Sequence, residues 1–374
     1  MNIRPAKQLW LPFKVKGELF TSEGNPASPV EDKQLMERIV DRDNLLTALR
    51  NVKRNRGSPG IDGMTVERLP EYLKKEWPKI RRQLISGTYM PLPVKRVEIP
   101  KPGGGIRELG IPTVFDRFIQ QALLQVLQQK WDATFSEFSY GFRPKRSAHQ
   151  AVKQSQEYLK QGYRWVLDKL DRELSHRGHR FVRYADDSNI YVRSKRAGLR
   201  VLKSITRFLG KRLKLSVNDA KSAVDRPWKR QFLGFTFSTK LNRRISEKSI
   251  KSFKERIREI TCRVRGRRIE TIVQELRQYM LGWQAYFGFT EVRYILKELD
   301  SWVKRRLRCY LWKQWGRRGY RELRKLGVSR DLAWNTAESA HGPWRLSRSP
   351  VLAFALPGKY FANLGLPRLF VKPT

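Results

Sequence analysis

Residues 178–187 read Gly-His-Arg-Phe-Val-Arg-Tyr-Ala-Asp-Asp, and β-type runs at 181–184 and 189–192 flank the acidic turn. Two carboxylates on one tight turn can both face one metal site, and Mg²⁺ prefers carboxylate oxygens. Nucleotidyl transfer uses two such ions to stabilise the attacking and leaving oxygens. Asp186 and Asp187 are therefore candidate catalytic and metal-binding residues. The alternative is an ordinary Asp-rich turn, because a four-residue match arises by chance about once in a few hundred chains of this length.

Further motifs stand on both sides of this hairpin. Upstream, two predicted strands, 94–99 and 106–111, are joined by the glycine-rich loop Lys-Pro-Gly-Gly-Gly at 101–105. Apolar residues at helical spacing predict helices around residues 35–52, 73–84, 114–131 and 199–209. The other motifs are Gly-Ser-Pro-Gly-Ile-Asp-Gly at 57–63, Ser-Tyr-Gly-Phe-Arg-Pro at 139–144, Asn218 to Lys221, and Phe-Leu-Gly-Phe at 232–235.

This ordered set resembles the reverse transcriptase and maturase proteins that group II introns encode. The resemblance covers nearly the whole chain and implies an α+β fold, with right-hand polymerase fingers and a truncated palm followed by an all-helical maturase or thumb domain. The implied limits are a mobile arm at 1–34, fingers at 35–162, a truncated palm at 163–240 and a basic helical domain at 245–365.

The resemblance also implies roles for three cations and a metal. Lys101 and Arg107, near the tip of the glycine-rich hairpin, would bind the phosphates of an incoming nucleotide, as Arg and Lys commonly do. Lys221 would lie near the palm and assist the leaving pyrophosphate as a catalytic residue. Mg²⁺ is the cofactor expected for the family, held weakly or not at all here. The alternative for each cation is a solvated surface group.

One interval departs from the family pattern. Trp-Val-Leu-Asp at 165–168 leads straight into a run that resembles the helix just before the palm hairpin. The metal-binding Asp of the family's first palm strand, its paired Phe residues and the Pro-Gln-Gly loop are missing, which indicates an internal deletion of several dozen residues. Asp168 is a possible replacement carboxylate, although its neighbours fit the following helix better.

The C-terminal part is rich in cations and aromatic rings. Gly282 to Gly288 resembles a piece of the maturase region, and eleven basic residues but only one acid, Glu322, occur between 301 and 330. Cations for phosphates and rings for unpaired bases are the groups that RNA recognition uses. The rings fit a hydrophobic core better than base stacking. The candidate RNA-binding residues are Arg305, Arg306, Arg308, Lys313, Arg317 and Arg318.

The bulk composition agrees with a nucleic-acid partner. The formal net charge of +43 and the pI near 10.8 favour a polyanion, chiefly structured group II intron RNA, over a basic membrane-surface protein. The two cysteines, Cys262 and Cys309, are not paired in spacing, which favours a reducing compartment. We therefore expect a cytoplasmic or nucleoid-associated protein, with no membrane partner and no small-molecule cofactor.

Three functional readings remain open from the sequence. The chain is a polymerase-inactive family member with residual RNA binding, an active RNA-directed DNA polymerase that uses Asp168, or a poorly folded remnant. The third reading arises because loss of a palm strand and its covering helix would leave apolar surface uncovered.

Overall fold

The computed structural model describes residues 34–100, 104–167, 178–185, 187–212, 224–262 and 266–371. The chain divides into two compact units, of which the first ends at Phe135 and the second begins at Ser136. Several sequence-predicted residues lie outside the described ranges. These are the arm up to residue 33, Lys101, Asp168, Asp186 and Lys221.

The first unit packs helices around one core and carries a two-stranded hairpin. Asp41 caps the second helix, and the Thr113 hydroxyl accepts a hydrogen bond from the backbone N–H of Asp116 at 3.0 Å to begin the fourth. Phe118 and Ala122, on the inner face of the fourth helix, lie at the centre of the core. The elements are α1 (Leu35–Ile39), α2 (Arg42–Asn55), α3 (Leu69–Ile85), β1 (Lys95–Pro100), β2 (Ile106–Ile111) and α4 (Val114–Trp131).

The second unit begins with a small antiparallel sheet. A capping box between Ser147 and Gln150 starts its first helix, α5 (Ala148–Lys160). The strands are β3 (Trp165–Leu167), β4 (Arg180–Tyr184) and β5 (Asp187–Val192), in the order β3-β5-β4. The amphipathic helix α6 (Lys195–Arg212) packs on this sheet. Its buried residues Val201 and Ile205 contact the core that contains Phe181, Ile190 and Val192.

The remainder of the second unit is mainly helical. A hairpin of β6 (Phe235–Phe237) and β7 (Arg243–Ile245) precedes a bundle whose core contains Phe253, Leu276, Val303 and Leu352. A 3₁₀ turn, Gly316–Arg318, joins the two helices that flank it. The helices are α7 (Glu247–Ile260), α8 (Ile269–Phe287), α9 (Tyr294–Trp315), α10 (Gly319–Lys325), α11 (Arg330–Ala337), α12 (Pro343–Leu346), α13 (Pro350–Ala355) and α14 (Gly358–Asn363).

The secondary structure predicted from the residue pattern is confirmed in its main elements. The predicted strands at 94–99 and 106–111 correspond to β1 and β2, and the helix predicted from Val114 to Trp131 is α4. The predicted domain limits near 162 and 240 fall inside the second unit and stay predictions. None of the described helices is long and apolar enough to cross a membrane.

Candidate active-site hairpin and nucleic-acid interface

The acidic turn joins β4 to β5. The two strands are antiparallel, and Tyr184 pairs with Asp187 as the last rung before the turn. Asp187 is exposed there. Asp186 lies outside the described residues, so the structure shows one of the two predicted carboxylates at the tip of the hairpin.

The hairpin is held along both of its edges. On the β4 side, the Arg183 backbone N–H donates to Phe138 O at 2.9 Å, and the Tyr140 N–H donates to Arg183 O at 2.8 Å. On the β5 side, β3 pairs with residues 190–192. The Ser-Tyr-Gly-Phe-Arg-Pro motif therefore lies beside the acidic turn, an association that its distance along the chain did not predict.

Gly141 allows the closest approach between this motif and the turn. A Cβ added at Gly141 would lie 2.2 Å from the backbone N of Ala185, a separation that real side chains do not adopt. Ala185 itself has φ +56°, in the left-handed region that non-glycine residues seldom occupy. Phe142, the next residue after the glycine, has φ +56° and is 84% exposed. Its ring centroid lies 6.2 Å from that of Tyr184.

Gly141→Ala is expected to destabilise the second unit, because the new methyl group must displace the backbone of the acidic turn. Overpacking of this kind costs about 1–3 kcal/mol. The free energy of unfolding in urea measures the effect. The matched control is Gly282→Ala, since Gly282 lies inside α8 with nothing within 4 Å of the added Cβ. The control should keep or slightly increase stability, and equal losses in both variants would contradict the close approach.

The strand next to the hairpin is short. β3 is three residues long, and its last residue, Leu167, pairs with Ile190. Ile190 lies three positions from Asp187, roughly 10 Å along the strand at about 3.4 Å per residue. On its other side, Val166 exchanges backbone hydrogen bonds with Asp225. The described part of β3 therefore ends well before the level of Asp187.

No metal-binding cluster of three or more His, Cys, Asp or Glu residues is found within the described ranges. Asp186 and Asp187 are adjacent in sequence, Asp187 is exposed, and carboxylate oxygens are the ligands that Mg²⁺ prefers, so a metal site at this turn stays a prediction. Two carboxylates supply fewer protein ligands than a tightly closed site needs. Lys221, the third predicted catalytic residue, lies outside the described part of the chain.

The hairpin of β1 and β2 presents Arg107 on one of its faces. Arg107 pairs with Ile99 across the ladder, and its exposed side chain has no hydrogen bond or ion pair to any described residue. On the opposite face, Glu98 and Glu108 are direct cross-strand neighbours, and Arg96 bridges both carboxylates. That bridge offsets the repulsion between like charges placed opposite each other. Arg107 is thus available to a ligand, while Arg96 is engaged within the hairpin.

The glycine-rich motif at 57–63 packs on the start of α4. The Arg117 guanidinium donates to Ser58 O at 2.6 Å. A Cβ added at Gly60 would lie 2.6 Å from the Thr113 Cα, so this position requires glycine. The motif is therefore fixed by close backbone contact inside the first unit.

Three of the six predicted RNA-binding residues hold the helical domain together. Arg305 stacks over the Trp344 ring at 3.9 Å and donates to Trp344 O at 3.1 Å. Arg306 donates to the Thr261 hydroxyl at 3.0 Å, and the Arg308 Nε donates to Leu356 O at 2.9 Å. Burial lowers the pKa of the Arg308 guanidinium. Sequence reasoning missed this structural role because the partners lie 39 to 48 residues away along the chain.

The other three predicted residues face outward. Lys313, Arg317 and Arg318 lie at the end of α9 and the following turn, and all three are exposed. Arg321, on α10, is exposed as well. None of these four side chains has a hydrogen bond or ion pair to another residue in the described ranges. We call them the α9–α10 cation cluster.

The aromatic rings between these cations belong to the core, as predicted. Tyr310 is 2% exposed and Trp312 is 9% exposed. Trp302, Trp315 and Tyr320 pack against the same core. The α9–α10 surface therefore presents exposed cations, and its rings stabilise the fold.

A polar network joins α5 to the loop before α9. The Glu291 carboxylate accepts from the Gln156 amide at 2.8 Å and from the Arg243 backbone N–H at 2.8 Å, and the Arg243 guanidinium lies 3.2 Å from it. Burial alone would raise the pKa of Glu291. The hydrogen bonds from Arg243 and Gln156 and the nearby guanidinium outweigh burial and lower the pKa of Glu291 below the ordinary glutamate value of 4.5.

Glu291→Gln is expected to lower the free energy of unfolding by about 1 kcal/mol at pH 7, a charge-assisted hydrogen-bond contribution reduced by partial exposure. Because folding lowers the pKa of Glu291, this stabilisation is complete above about pH 4.5 and is lost as the pH falls through the folded pKa. Denaturant titrations from pH 7 downward should show parent and variant converging. A difference in the free energy of unfolding between parent and variant that does not change with pH would contradict this prediction. The control is Glu255→Gln, an exposed residue 4.0 Å from Lys251.

Two family profiles match the second unit. Residues 162–237 match the profile described as reverse transcriptase (RNA-dependent DNA polymerase). Residues 250–327 match the group II intron, maturase-specific domain. The hairpin with the acidic turn lies in the first segment, and the α9–α10 cation cluster lies in the second.

Similar proteins cover parts of the chain. Protein YkfC of Escherichia coli (strain K12) is 40% identical over 123 residues, 32% of this chain and 32% of that protein. Group II intron-encoded protein LtrA of Lactococcus lactis subsp. cremoris is 32% identical over 136 residues, 36% of this chain and 22% of that protein. The chain thus spans at most about a third of these relatives.

A solved structure titled "Partial Cas6-RT-Cas1--Cas2 complex" also matches. It is 17% identical and covers 49% of this chain and 43% of that chain, with a TM-score of 0.25, too low to bear on the fold. Residues 162–237 and 250–327 thus carry a reverse transcriptase segment and a group II intron maturase-specific segment, and proteins similar to this chain include group II intron-encoded proteins.

Proposed function

We propose that this protein binds structured group II intron RNA through its maturase-specific domain and does not polymerise DNA. The observation that carries the RNA-binding part is the α9–α10 cation cluster. Its four cations are exposed and have no acidic partner among the described residues. Cations in this state can neutralise RNA phosphates without first breaking a contact within the protein, and the released counterions favour binding.

The buried contacts of Arg305, Arg306 and Arg308 support the same proposal in a different way. They anchor α9 to the C-terminal helices and to the end of α7. A rigid helix keeps the outward cations in a fixed arrangement, which reduces the ordering entropy lost on binding. RNA contacts of these three arginines stay a prediction. Their contacts within the protein hold α9 in place.

The proposal of inactivity rests on the sequence after Trp165, where residues 165–175 contain no paired Phe residues of the kind that the family resemblance implies beside the metal-binding Asp of the first palm strand. Two-metal catalysis needs carboxylates from two places, so that both ions are held about 3.5–4 Å apart. Asp186 and Asp187 supply the carboxylates of the first place, the turn. The described part of β3 ends opposite Ile190, roughly 10 Å along the sheet from Asp187 at about 3.4 Å per residue. A bound Mg²⁺ pair would supply Lewis-acid stabilisation of the reacting oxygens, and the turn alone would hold it weakly.

Two measurements test the two parts separately. Titration of the protein with a group II intron RNA at several salt concentrations tests binding, and primer extension on an RNA template tests polymerisation. Template-directed synthesis would favour the active-enzyme reading with Asp168 as the replacement carboxylate. Absence of salt-dependent binding would overturn the RNA-binding reading.

A further inference from the structure

Helix α6 carries a line of cations on the face opposite the palm sheet. Val201 and Ile205 point into the core, with 7% and 3% exposure. The exposed cations occur at intervals of four, three and four residues, which places them on one side of a helix. They are Arg196, Arg200, Lys203 and Arg207. We call this line the α6 stripe.

The α6 stripe lacks the features of an ordinary solvated face. The helix has no acidic residue at all. Each successive pair in the stripe is therefore a like-charge pair at (i, i+3) or (i, i+4) spacing, which destabilises an isolated helix. None of the four side chains forms a hydrogen bond or ion pair with a described residue. Within the described chain, this repulsion has no compensating partner.

Other amphipathic helices of the same chain show the usual arrangement. On α7, Lys251 lies 4.0 Å from Glu255, and Arg256 lies 2.8 Å from Glu259. On α3, Glu71 and Glu76 alternate with the lysines. A helix surface that only keeps a protein soluble usually carries positive and negative side chains side by side. Because every charged side chain on α6 is positive, the helix is suited to a polyanion outside the protein.

The geometry of the stripe fits one strand of a duplex backbone. Arg196 to Arg207 spans about 16 Å at about 1.5 Å rise per residue. A rigid duplex presents its phosphates at regular positions, so cations held at fixed spacing on one helix face can neutralise several of them together. Single-stranded nucleic acid is usually held by aromatic stacking as well. α6 contains one aromatic residue, Phe208, which follows the last cation of the stripe in sequence, and no aromatic residue lies between the four cations.

We propose that the α6 stripe is a second RNA-binding surface, which contacts the phosphate backbone of a double-stranded RNA segment. It rests on the proposed RNA-binding function and adds a contact on the palm side of the second unit. A maturase bound at both the α9–α10 cation cluster and the α6 stripe would neutralise more phosphates than either surface alone. Its binding would therefore have a steeper salt dependence.

The test compares the full chain with the variant Arg200→Ala/Lys203→Ala/Arg207→Ala. The probes are a short RNA duplex, the DNA duplex of the same sequence and one of the RNA strands alone. We expect affinity for the RNA duplex to fall by about tenfold to a few hundredfold near 0.1 M salt, and the slope of log K against log salt to decrease by about 2 to 3. The thermal midpoint should stay equal or rise, because three like-charge repulsions are removed and Ala favours helix.

The matched control removes the same charge from α3. Lys74, Lys75 and Lys79 are exposed and stand among acidic residues, so Lys74→Ala/Lys75→Ala/Lys79→Ala should leave the slope nearly unchanged. An equal loss in this control would overturn the proposal in favour of a net-charge effect. Unchanged RNA-duplex binding by the α6 variant would also overturn it, as would a loss confined to the DNA duplex or to the single strand.

The two proposals fail in distinguishable ways. If the parent protein binds no RNA, the proposed function and the α6 stripe both fall. If the parent binds RNA, a variant of the α9–α10 cation cluster weakens that binding, and the α6 variant binds as the parent does, only the α6 stripe is wrong.

Discussion

Purified protein is expected to give no template-directed DNA synthesis when it is supplied with an RNA template, a DNA primer, dNTPs and Mg²⁺. The family resemblance implies a metal-binding Asp followed by paired Phe residues on the strand after Trp165, and residues 165–175 contain no paired Phe. Loss of a metal ligand from a two-metal site removes several kcal/mol of transition-state stabilisation, and each ~1.4 kcal/mol is tenfold in rate. A decrease of at least about a thousandfold from an active relative is expected.

Two controls make the absence of synthesis informative. An active reverse transcriptase in the same buffer shows that the template and primer are competent. Asp186→Asn and Asp168→Asn variants show whether any signal depends on these carboxylates. Template-directed synthesis by the parent that disappears in both variants would contradict the inactive reading and identify Asp168 as the replacement ligand.

Removal of three charges from the α9–α10 cation cluster is expected to weaken RNA binding strongly. Lys313→Ala/Arg317→Ala/Arg318→Ala removes exposed cations that form no hydrogen bond or ion pair with a described residue, so stability should change by less than about 0.5 kcal/mol. Affinity for a group II intron RNA should fall by about tenfold to a few hundredfold near 0.1 M salt, with a shallower salt slope. Fluorescence anisotropy at several salt concentrations measures both quantities.

The matched comparison is Arg308→Ala. This change removes one charge but also a half-buried guanidinium that donates to Leu356 O. It should lower the free energy of unfolding by about 1–3 kcal/mol, because a buried acceptor loses its partner. If Arg308→Ala left stability unchanged and lowered RNA affinity as much as the triple variant, the structural role of the buried arginines would be wrong.

Local elements could be predicted from the sequence because short-range pattern decides them. The hairpin of β4 and β5 follows from β-type runs around a polar turn, and α4 follows from the 3.6-residue spacing of Val114, Phe118 and Ala122. These features need no information from distant residues. The same holds for the rings of α9, whose spacing indicated a core.

Contacts between distant residues could not be predicted. The fit of Gly141 against Ala185 depends on how two segments about forty residues apart meet, and no local pattern encodes it. The burial of Arg308 and the exposure of Arg317 also could not be predicted, because both residues lie in similar runs of basic residues. The α6 stripe was different. Its spacing and its lack of acids are local features of the sequence, whereas its position opposite the buried residues of the helix is given by the structure.

The apolar side chains of the three-stranded sheet and of α6 pack together. Phe181 and Ile190, on the sheet, are fully buried together with Ile205 of α6. The described parts of this sheet and of α6 therefore share a packed core. A poorly folded remnant would have no single cooperative unfolding transition, and thermal unfolding followed by circular dichroism would show this directly.

The central claim, that this chain binds structured RNA by phosphate neutralisation, is tested most directly by the salt dependence of binding of the parent protein. Its dissociation constant for a folded group II intron RNA should be measured between about 50 and 200 mM salt. Engagement of six or more phosphates predicts a loss of affinity of about a thousandfold or more over this range. A dissociation constant that stays nearly constant with salt would contradict the claim.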